Sequence, residues 1–315
     1  MTRRVAVQMD PIEAVNVDAD TTFALMEEAQ ARGAELFVYH PNALAWNEGR
    51  IEARAQPVRV RHVQGEHAEL GAPAVIDLAD DVDVVLMRQD PPFDMAYQTA
   101  AHILEGLKGR TLVLNDPFWV RSSPEKILPL DFPGIIPPTL ISRDIDALTA
   151  FREIHGDIIL KPLYGNGGAG VFRLTPGDGN FSSLLEVFFG LSREPVIAQA
   201  FLPAVEKGDK RILLVDGEPV GAINRVPKRG ETRSNMHVGG VAEASDLDAA
   251  DRRICEIIGP VLRERDLVLV GIDVIGGRLT EINVTSPTGV QELKRFSGAD
   301  TCAAFWDCVD RRLGG

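Results

Sequence analysis

The stretch DIILKPLYGNGGAGVFRL, residues 157–174, holds Gly165, Gly167 and Gly170 in the spacing G-x-G-x-x-G, with Lys161 just ahead of them. That spacing marks a dinucleotide site only when a strand enters the glycines and a helix leaves them. Residues 157–162 read as the entering strand. Beyond the glycines, Gly170 to Thr175 is short, β-branched and aromatic and stops at Pro176-Gly177, which predicts a second strand. A strand–glycine–strand flap lacks the helix N-terminus that holds a pyrophosphate in a Rossmann unit, and it lacks the G-K-[ST] ending of a P-loop. It still lets backbone N–H groups come close to phosphate oxygens. Lys161 and Lys126, both near the flap, would then supply the matching positive charge.

A second stretch, GIDVIGGRLTEINVT at 271–285, supplies the opposite sign. Asp273, Glu281 and Asn283 are hard oxygen donors, a set that suits Mg²⁺ carrying nucleotide phosphates (or Mn²⁺) and does not suit zinc. Glu281 and Asn283, two apart on one strand, share a face. Whether Asp273 joins them depends on the hairpin. A two-residue turn, Gly276-Gly277, would place Asp273 opposite Thr280 and away from Glu281. A three-residue loop, Gly276-Gly277-Arg278, pairs Ile275 with Leu279, Asp273 with Glu281 and Gly271 with Asn283, and the apolar Ile272 with Ile282 on the buried side. The three-residue loop is the expectation. Arg211, Arg225 and Arg233 lie between the two stretches, and arginine forks suit a carboxylate or a transferring phosphoryl group. No Ser–His–Asp or Cys–His order is legible, and the H-R-D and D-F-G signatures of protein kinases are absent.

The elements that must position these groups fall into three textures. Over the first 120 or so residues, strands at 4–9, 36–40, 82–88 and 111–115 alternate with helices at 20–32 and 95–107, which predicts a parallel α/β layer. At Ser122 the texture changes. SSPEKILPL reads as a helix start, with Ser122 and Glu125 at capping-box spacing and Pro124 in the first turn. The next helix, RDIDALTAFREIHG, places Ile145, Leu148, Phe151 and Ile154 on one side, and an apolar helix follows the flap at 182–191. From Pro195 onward strands dominate, interrupted by PKRGETRSNMHVGG, a polar loop too long for a tight turn.

With 315 residues the chain can build two or three compact units. A net charge of −13 argues against a nucleic-acid partner, and no apolar run approaches the roughly 20 residues of a membrane span. The start, MTRRVAVQMDP, lacks the apolar core of a signal peptide. Three cysteines without a C-x-x-C fit reduced thiols in a cytoplasmic protein, and the six histidines form no metal-ligand spacing.

Lysines, a glycine flap between strands and a metal hairpin together indicate an ATP site of the ATP-grasp kind. Here the chain resembles the bacterial glutathione synthetase family along nearly its whole length. The likeness rests on MDP at 9–11, LMRQDPPFD at 86–94, EK at 125–126, DIILKPL with its glycines, GDKRILLVDGEPV at 208–220, GETRSN at 230–235 and VGIDVIGGRLTEINVTSPTG at 270–289. The resemblance implies an ATP-grasp ligase of three units: an N-terminal α/β domain at 1–121, a small flap domain at 122–194 and a mainly antiparallel C-terminal domain at 195–315. It implies ATP held by Lys126, Lys161, the glycines Gly165, Gly167 and Gly168, a hinge at Gln199, Ala200, Phe201 and Leu202, and Asp209. Metal would sit on Asp273, Glu281 and Asn283. Arg211, Arg225, Asn235 and Ser286 would face the peptide and its acyl phosphate, under a loop at 228–240. The reaction implied joins γ-glutamylcysteine to glycine at the expense of ATP, in a homo-oligomer. Three positions depart from the family pattern: Tyr164 stands where a small acidic residue is expected, Val241 where a basic one is common, and His237 where a small one is.

Overall fold

The computed structural model describes residues 2–165, 167–228 and 240–314. Its first sheet is built on strands β1 (Arg4–Gln8), β2 (Glu35–Tyr39), β3 (Leu44–Asn47), β4 (Arg50–Val60), β5 (Ala68–Leu70), β6 (Ala74–Asp77), β7 (Val84–Met87) and β8 (Leu112–Leu114), with helices α1 (Thr21–Ala31) and α2 (Met95–Glu105). The order is β3-β4-β2-β1-β7-β8, with β5 and β6 also on β4. β1, β2, β7 and β8 are parallel, as the strand–helix alternation predicts. The sheet as a whole is nonetheless mixed, because β3 to β6 add antiparallel pairs. The alternation rule fails where no helix separates two strands. Glu48 and Gly49, both with positive φ, turn β3 directly into β4. The period-two pattern of IEARAQPVRV carries this strand, with Ile51, Ala53, Ala55, Val58 and Val60 all buried. α1 matches expectation: Asp20 caps it by accepting from the Phe23 N–H at 2.6 Å, and Gly33 follows in the left-handed region.

The expected helix start at Ser122 is wrong. α3 (Pro117–Ser122) ends there, and it begins at Asp116, whose carboxylate accepts from the Trp119 N–H, with Pro117 in the first turn. Ser123 precedes Pro124, and the proline ring disfavours helical geometry at that residue, so the chain leaves α3 and runs on to a short 3₁₀ turn at Leu128–Asp131.

A second sheet follows, formed by β9 (Thr139–Ser142), β10 (Ile158–Pro162), β11 (Phe172–Leu174) and β12 (Val196–Ala200) in the antiparallel order β11-β10-β12-β9, with α4 (Ile145–His155) and α5 (Phe181–Leu191). It has its own core of Leu148, Ile158, Leu160, Leu174, Phe181, Leu185, Val196 and Ala198. Of the predicted α4 face, Leu148 is buried and Phe151 packs on this core, but Ile145 and Ile154 are exposed. Successive steps of three residues drift by about 60° on a helix with 3.6 residues per turn, so Ile145 and Ile154 point in opposite directions.

The third sheet has β13 (Asp209–Val215), β14 (Glu218–Val226), β15 (Val241–Ser245), β16 (Leu269–Ile275) and β17 (Arg278–Asn283), ordered β15-β14-β13-β16-β17 and antiparallel throughout. Helices α6 (Ala249–Glu264), α7 (Val290–Ser297) and α8 (Thr301–Arg312) cover it. The first and third sheets share two cores. One joins Met87, Tyr97 and Leu104 to Ile212, Ile254 and Ile272; the other joins Phe23, Leu25 and Met26 to Leu213, Phe305 and Trp306. Each such fully buried side chain contributes about 1.5–3 kcal/mol of apolar burial. Across the seam, the indole of Trp306 donates to the Leu25 carbonyl at 2.8 Å.

Asn115, at the end of β8, ties the seam next to the charged hairpin. Its amide donates to the carbonyls of Leu269 (2.8 Å) and Val284 (2.7 Å) and accepts from the Leu269 N–H (2.9 Å). Asn115→Ala would strip partners from three buried backbone groups. It is expected to lower the unfolding free energy by roughly 3 kcal/mol, read from urea denaturation; a loss under about 1 kcal/mol would mean that water replaces the amide.

Candidate active site

The glycine flap is a strand–turn–strand unit. β10 and β11 pair antiparallel, with Ile158 opposite Leu174 and Leu160 opposite Phe172, and no helix begins between Gly167 and Val171. Gly167, Gly168 and Gly170 all have φ between 61° and 79°, a region that side chains with a Cβ rarely adopt. Space is short as well: a Cβ on Gly165 would meet Pro162 Cγ at 2.6 Å. The Nζ of Lys126 donates to the Gly165 carbonyl, so the flap rests on one of the two lysines assigned to phosphate.

In the hairpin the outcome of the register prediction holds, but its device differs. Asp273 lies directly opposite Glu281, Gly271 opposite Asn283 and Ile272 opposite Ile282. The turn, however, is the two-residue one. Ile275 pairs with Arg278, Gly276 and Gly277 both have positive φ, and the register shifts between Asp273 and Val274. Thr280 is the extra residue. Its hydroxyl donates to the Asp273 carbonyl at 3.1 Å. A β-bulge therefore does what the expected third loop residue was to do, returning both carboxylates to one face.

The register extends this into a row of alternating charge. Asp209 is opposite Arg225, and Arg211 is opposite Asp273. Arg211 donates Nε (2.5 Å) and an Nη (3.1 Å) to the two oxygens of Asp273, while Arg225 Nη2 lies 2.5 Å from Asp209 and 2.9 Å from Asp273. Burial alone would push the Asp273 carboxyl up, yet Arg211 and Arg225 outweigh it and hold it well below the usual carboxylate range. Burial works against the charge of Arg225 too; Asp209 and Asp273 more than restore it.

Lys161 and Lys126 approach Glu281 to 3.5 and 3.7 Å. Burial, which would raise the Glu281 carboxyl, is overcome by the two lysines, so it is lowered; Lys161 is lowered, chiefly because it is removed from water, despite Glu281. The lysines expected to await phosphate thus rest on a carboxylate supplied from a distant strand.

All these groups line one cavity of about 720 Å³. Its lining includes Lys126, Lys161, Gly165, Gly167, Gly168, Gln199, Ala200, Phe201, Leu202 and Asp209, together with Arg211, Arg225, Asp273, Glu281, Asn283 and Ser286. The Asn283 amide nitrogen is buried with no partner among the described residues. No group of three His, Cys, Asp or Glu side chains suited to a metal occurs among them, and the donor set is instead two carboxylates with one amide. The carboxylates of Asp273 and Glu281 and the amide oxygen of Asn283 line one wall, and such an oxygen donor set fits Mg²⁺. Asn235, Arg233 and His237 lie outside the described residues.

Two family profiles match the chain: prokaryotic glutathione synthetase, N-terminal domain, over residues 4–121, and prokaryotic glutathione synthetase, ATP-grasp domain, over residues 125–298. The chain belongs to the prokaryotic glutathione synthetase family. A glutathione synthetase of Brucella melitensis is 57% identical, covering 99% of this chain and 100% of the relative. One of Pseudomonas syringae pv. tomato is 44% identical over 99% of this chain and 98% of its own length. Among solved structures, the D-cycloserine synthetase DcsG superposes with a TM-score of 0.68 at 16% identity, covering 98% of this chain and 99% of that one. The ATP-grasp ligase PsnB gives 0.63 at 18%, covering 99% of each chain. At such identities these two show the ATP-grasp fold alone.

Set against this family, the departures gain a physical account in one case. Tyr164 stacks on Phe93 (centroids 6.1 Å apart, planes 28°), and Phe93 packs on Tyr97, so the unusual side chain joins the flap to the segment after β7. Val241 begins β15 opposite Val226. Residue-type reasoning missed Arg88 and Thr285 and gave Glu125 only a capping role at Ser122, which it does not play because α3 ends there. The Glu125 carboxylate accepts from the Thr285 hydroxyl at 2.7 Å, and withdrawal from water pushes it up. A signal for Arg88 existed, since it directly follows β7, and ligands gather beyond the carboxyl ends of parallel strands. Tyr164→Ala is expected to raise the KM for ATP roughly 2- to 10-fold, the worth of one aromatic pair, while Tyr164→Phe leaves it unchanged; steady-state kinetics at saturating peptide check this.

Proposed function

We propose that the chain joins the cysteine carboxylate of γ-glutamylcysteine to the amine of glycine, forming glutathione, ADP and phosphate. The observation that carries this is the near full-length family match on a cavity in which the lysines, the hairpin and the arginines converge. The carboxylate attacks the γ-phosphorus of ATP and ADP leaves; the glycine amine then attacks the acyl carbon, loses a proton, and phosphate departs. Lys126 and Lys161 exchange Glu281 for phosphate oxygens as the nucleotide enters. Arg211 and Arg225, fixed by Asp273 and Asp209, present the remaining N–H donors where negative charge develops. Asp273, Glu281 and Asn283 would hold Mg²⁺, which neutralises phosphate charge when bound. Gln199 to Leu202 serve the adenine, and Ser286, whose hydroxyl donates to the Gln89 carbonyl at 2.8 Å, stands on the peptide side. No protein nucleophile is required.

The three units implied by the sequence, 1–121, 122–194 and 195–315, follow the three sheets except at the last boundary, because β12 (Val196–Ala200) belongs to the second sheet. A cytoplasmic location is supported by three cysteines that are free and buried, and no helix among the described residues is long and apolar enough to cross a membrane. A homo-oligomer rests on the family resemblance; light scattering tests it.

Phosphate release with Mg-ATP, γ-glutamylcysteine and glycine, omitting each in turn, tests the reaction. Release that does not depend on glycine, or that another amino acid supports equally, would overturn it. Arg225→Lys keeps the charge beside Asp209 and Asp273 but removes the fork. It is expected to cut kcat roughly 100-fold with little change in ATP affinity, and an unchanged kcat would remove Arg225 from the chemistry.

A further inference from the structure

The hinge at 199–202 carries one side chain able to donate or to accept. Ala200, Phe201 and Leu202 have apolar side chains. The backbone N–H groups of Ala200 and Phe201 are taken by the carbonyls of Pro138 (2.9 Å) and Asp157 (3.0 Å). Gln199 is 7% exposed and lines the cavity. Its amide has a carbonyl oxygen at one end and two N–H donors at the other, and half a turn about the last torsion exchanges them. Which end a ligand meets therefore depends on what holds the other.

The holder is on the neighbouring strand. Thr139 stands directly opposite Gln199 in the pairing of β9 with β12, so the two side chains share a face. Gln199 Nε2 donates to the Thr139 hydroxyl at 3.0 Å, and that hydroxyl donates to the Pro137 carbonyl at 2.9 Å. A hydroxyl has a single proton. Here it is spent on Pro137, whose carbonyl has no other donor among the described residues, so only lone pairs face Gln199. The relay has a fixed direction, from amide to hydroxyl to carbonyl. Turning the amide over would set two acceptors against each other. The Gln199 Oε1 accepts from no described residue, which leaves it to a ligand.

We propose that Thr139 is a positioning residue for base specificity. By holding Gln199 with Oε1 toward the cavity, it selects a purine with a 6-amino donor over one with a 6-oxo acceptor. The inference rests on the assignment of the hinge to the adenine and deepens it. Main-chain carbonyls at the hinge also favour an amino group, but they cannot exchange donor for acceptor. Thr139 governs the one hinge group that can.

The test measures binding of three nucleotides to the full chain by calorimetry with Mg²⁺ present. They are ADP, inosine diphosphate, which carries a 6-oxo group, and purine riboside diphosphate, which carries only hydrogen at that carbon. The unsubstituted protein is expected to bind ADP roughly 100-fold more tightly than inosine diphosphate. Thr139→Val, nearly isosteric, frees the amide to turn and should cut that ratio roughly 10-fold, with the affinity for purine riboside diphosphate unchanged. Thr139→Ser keeps the relay and should keep the full preference. Thr139→Ala carries the same expectation as Thr139→Val if the latter does not fold. An unchanged ratio in the Thr139→Val protein would overturn the role of Thr139. Equal losses on all three nucleotides would reduce Thr139 to a brace between β9 and β12 and overturn it as well. An unsubstituted protein that binds ADP and inosine diphosphate equally, or binds neither, would overturn the assignment of Gln199 to the base, and the proposal with it. Binding is read without turnover, so the result is independent of which carboxylate and amine the enzyme joins.

Discussion

Asp209, Arg211, Arg225 and Asp273 hold one another across three adjacent strands, and this wall of the cavity depends on that balance. Each of the four is buried, and a buried charge without a partner costs several kcal/mol. The pairs are therefore less a source of stability than a condition for placing charge in the cavity at all. They also fix direction. With both oxygens of Asp273 bonded to Arg211, the guanidinium plane is set before any substrate arrives, so little side-chain freedom remains to be lost on binding. Glu281 serves the lysines in the same way. Its carboxylate offsets part of the burial that lowers Lys161 and lies 3.7 Å from the Lys126 ammonium.

That arrangement needs the strands in one register, and the register turns on a single residue. Were Thr280 paired in a regular ladder and not bulged, the Gly276-Gly277 turn would set it opposite Asp273 and send Glu281 to the opposite face of the sheet. The bulge keeps a tight turn and a correct wall together. On the buried side it still allows Ile272 to meet Ile282, so packing and chemistry select the same pairing.

The sequence made the flap, the parallel strands β1, β2, β7 and β8 and the face shared by the two carboxylates readable, because each rests on a local pattern. Glycine spacing, strand–helix alternation and period-two alternation are local in this sense. What was not readable depends on distance. Nothing near Lys161 in the chain announces Glu281, and nothing near Arg88 announces the carbonyls of residues 285 and 287. The antiparallel additions at β3 to β6 had a legible alternation at 51–60 but no intervening helix to fit the expected rhythm. Ser122 had the residue types of a helix start, and the proline two residues later made it an end. In the hairpin the constraint was legible, since core and charge demanded one register. The means was not, because a bulge and a longer loop satisfy it equally.

The shared cores of the first and third sheets bear on how such a chain could be divided or recombined. Family profiles describe two consecutive segments, 4–121 and 125–298, as if they were modules. Their hydrophobic interiors are not separable along that line, because Phe23 and Met26 from one segment close over Leu213 from the other. Phe305 and Trp306, in the same core, lie beyond both segments. Among the described residues, the second sheet alone has an interior of its own. Recombination between relatives would thus exchange that sheet with few broken contacts. A crossover near residue 122 would have to bring matched halves of two interiors from a single parent.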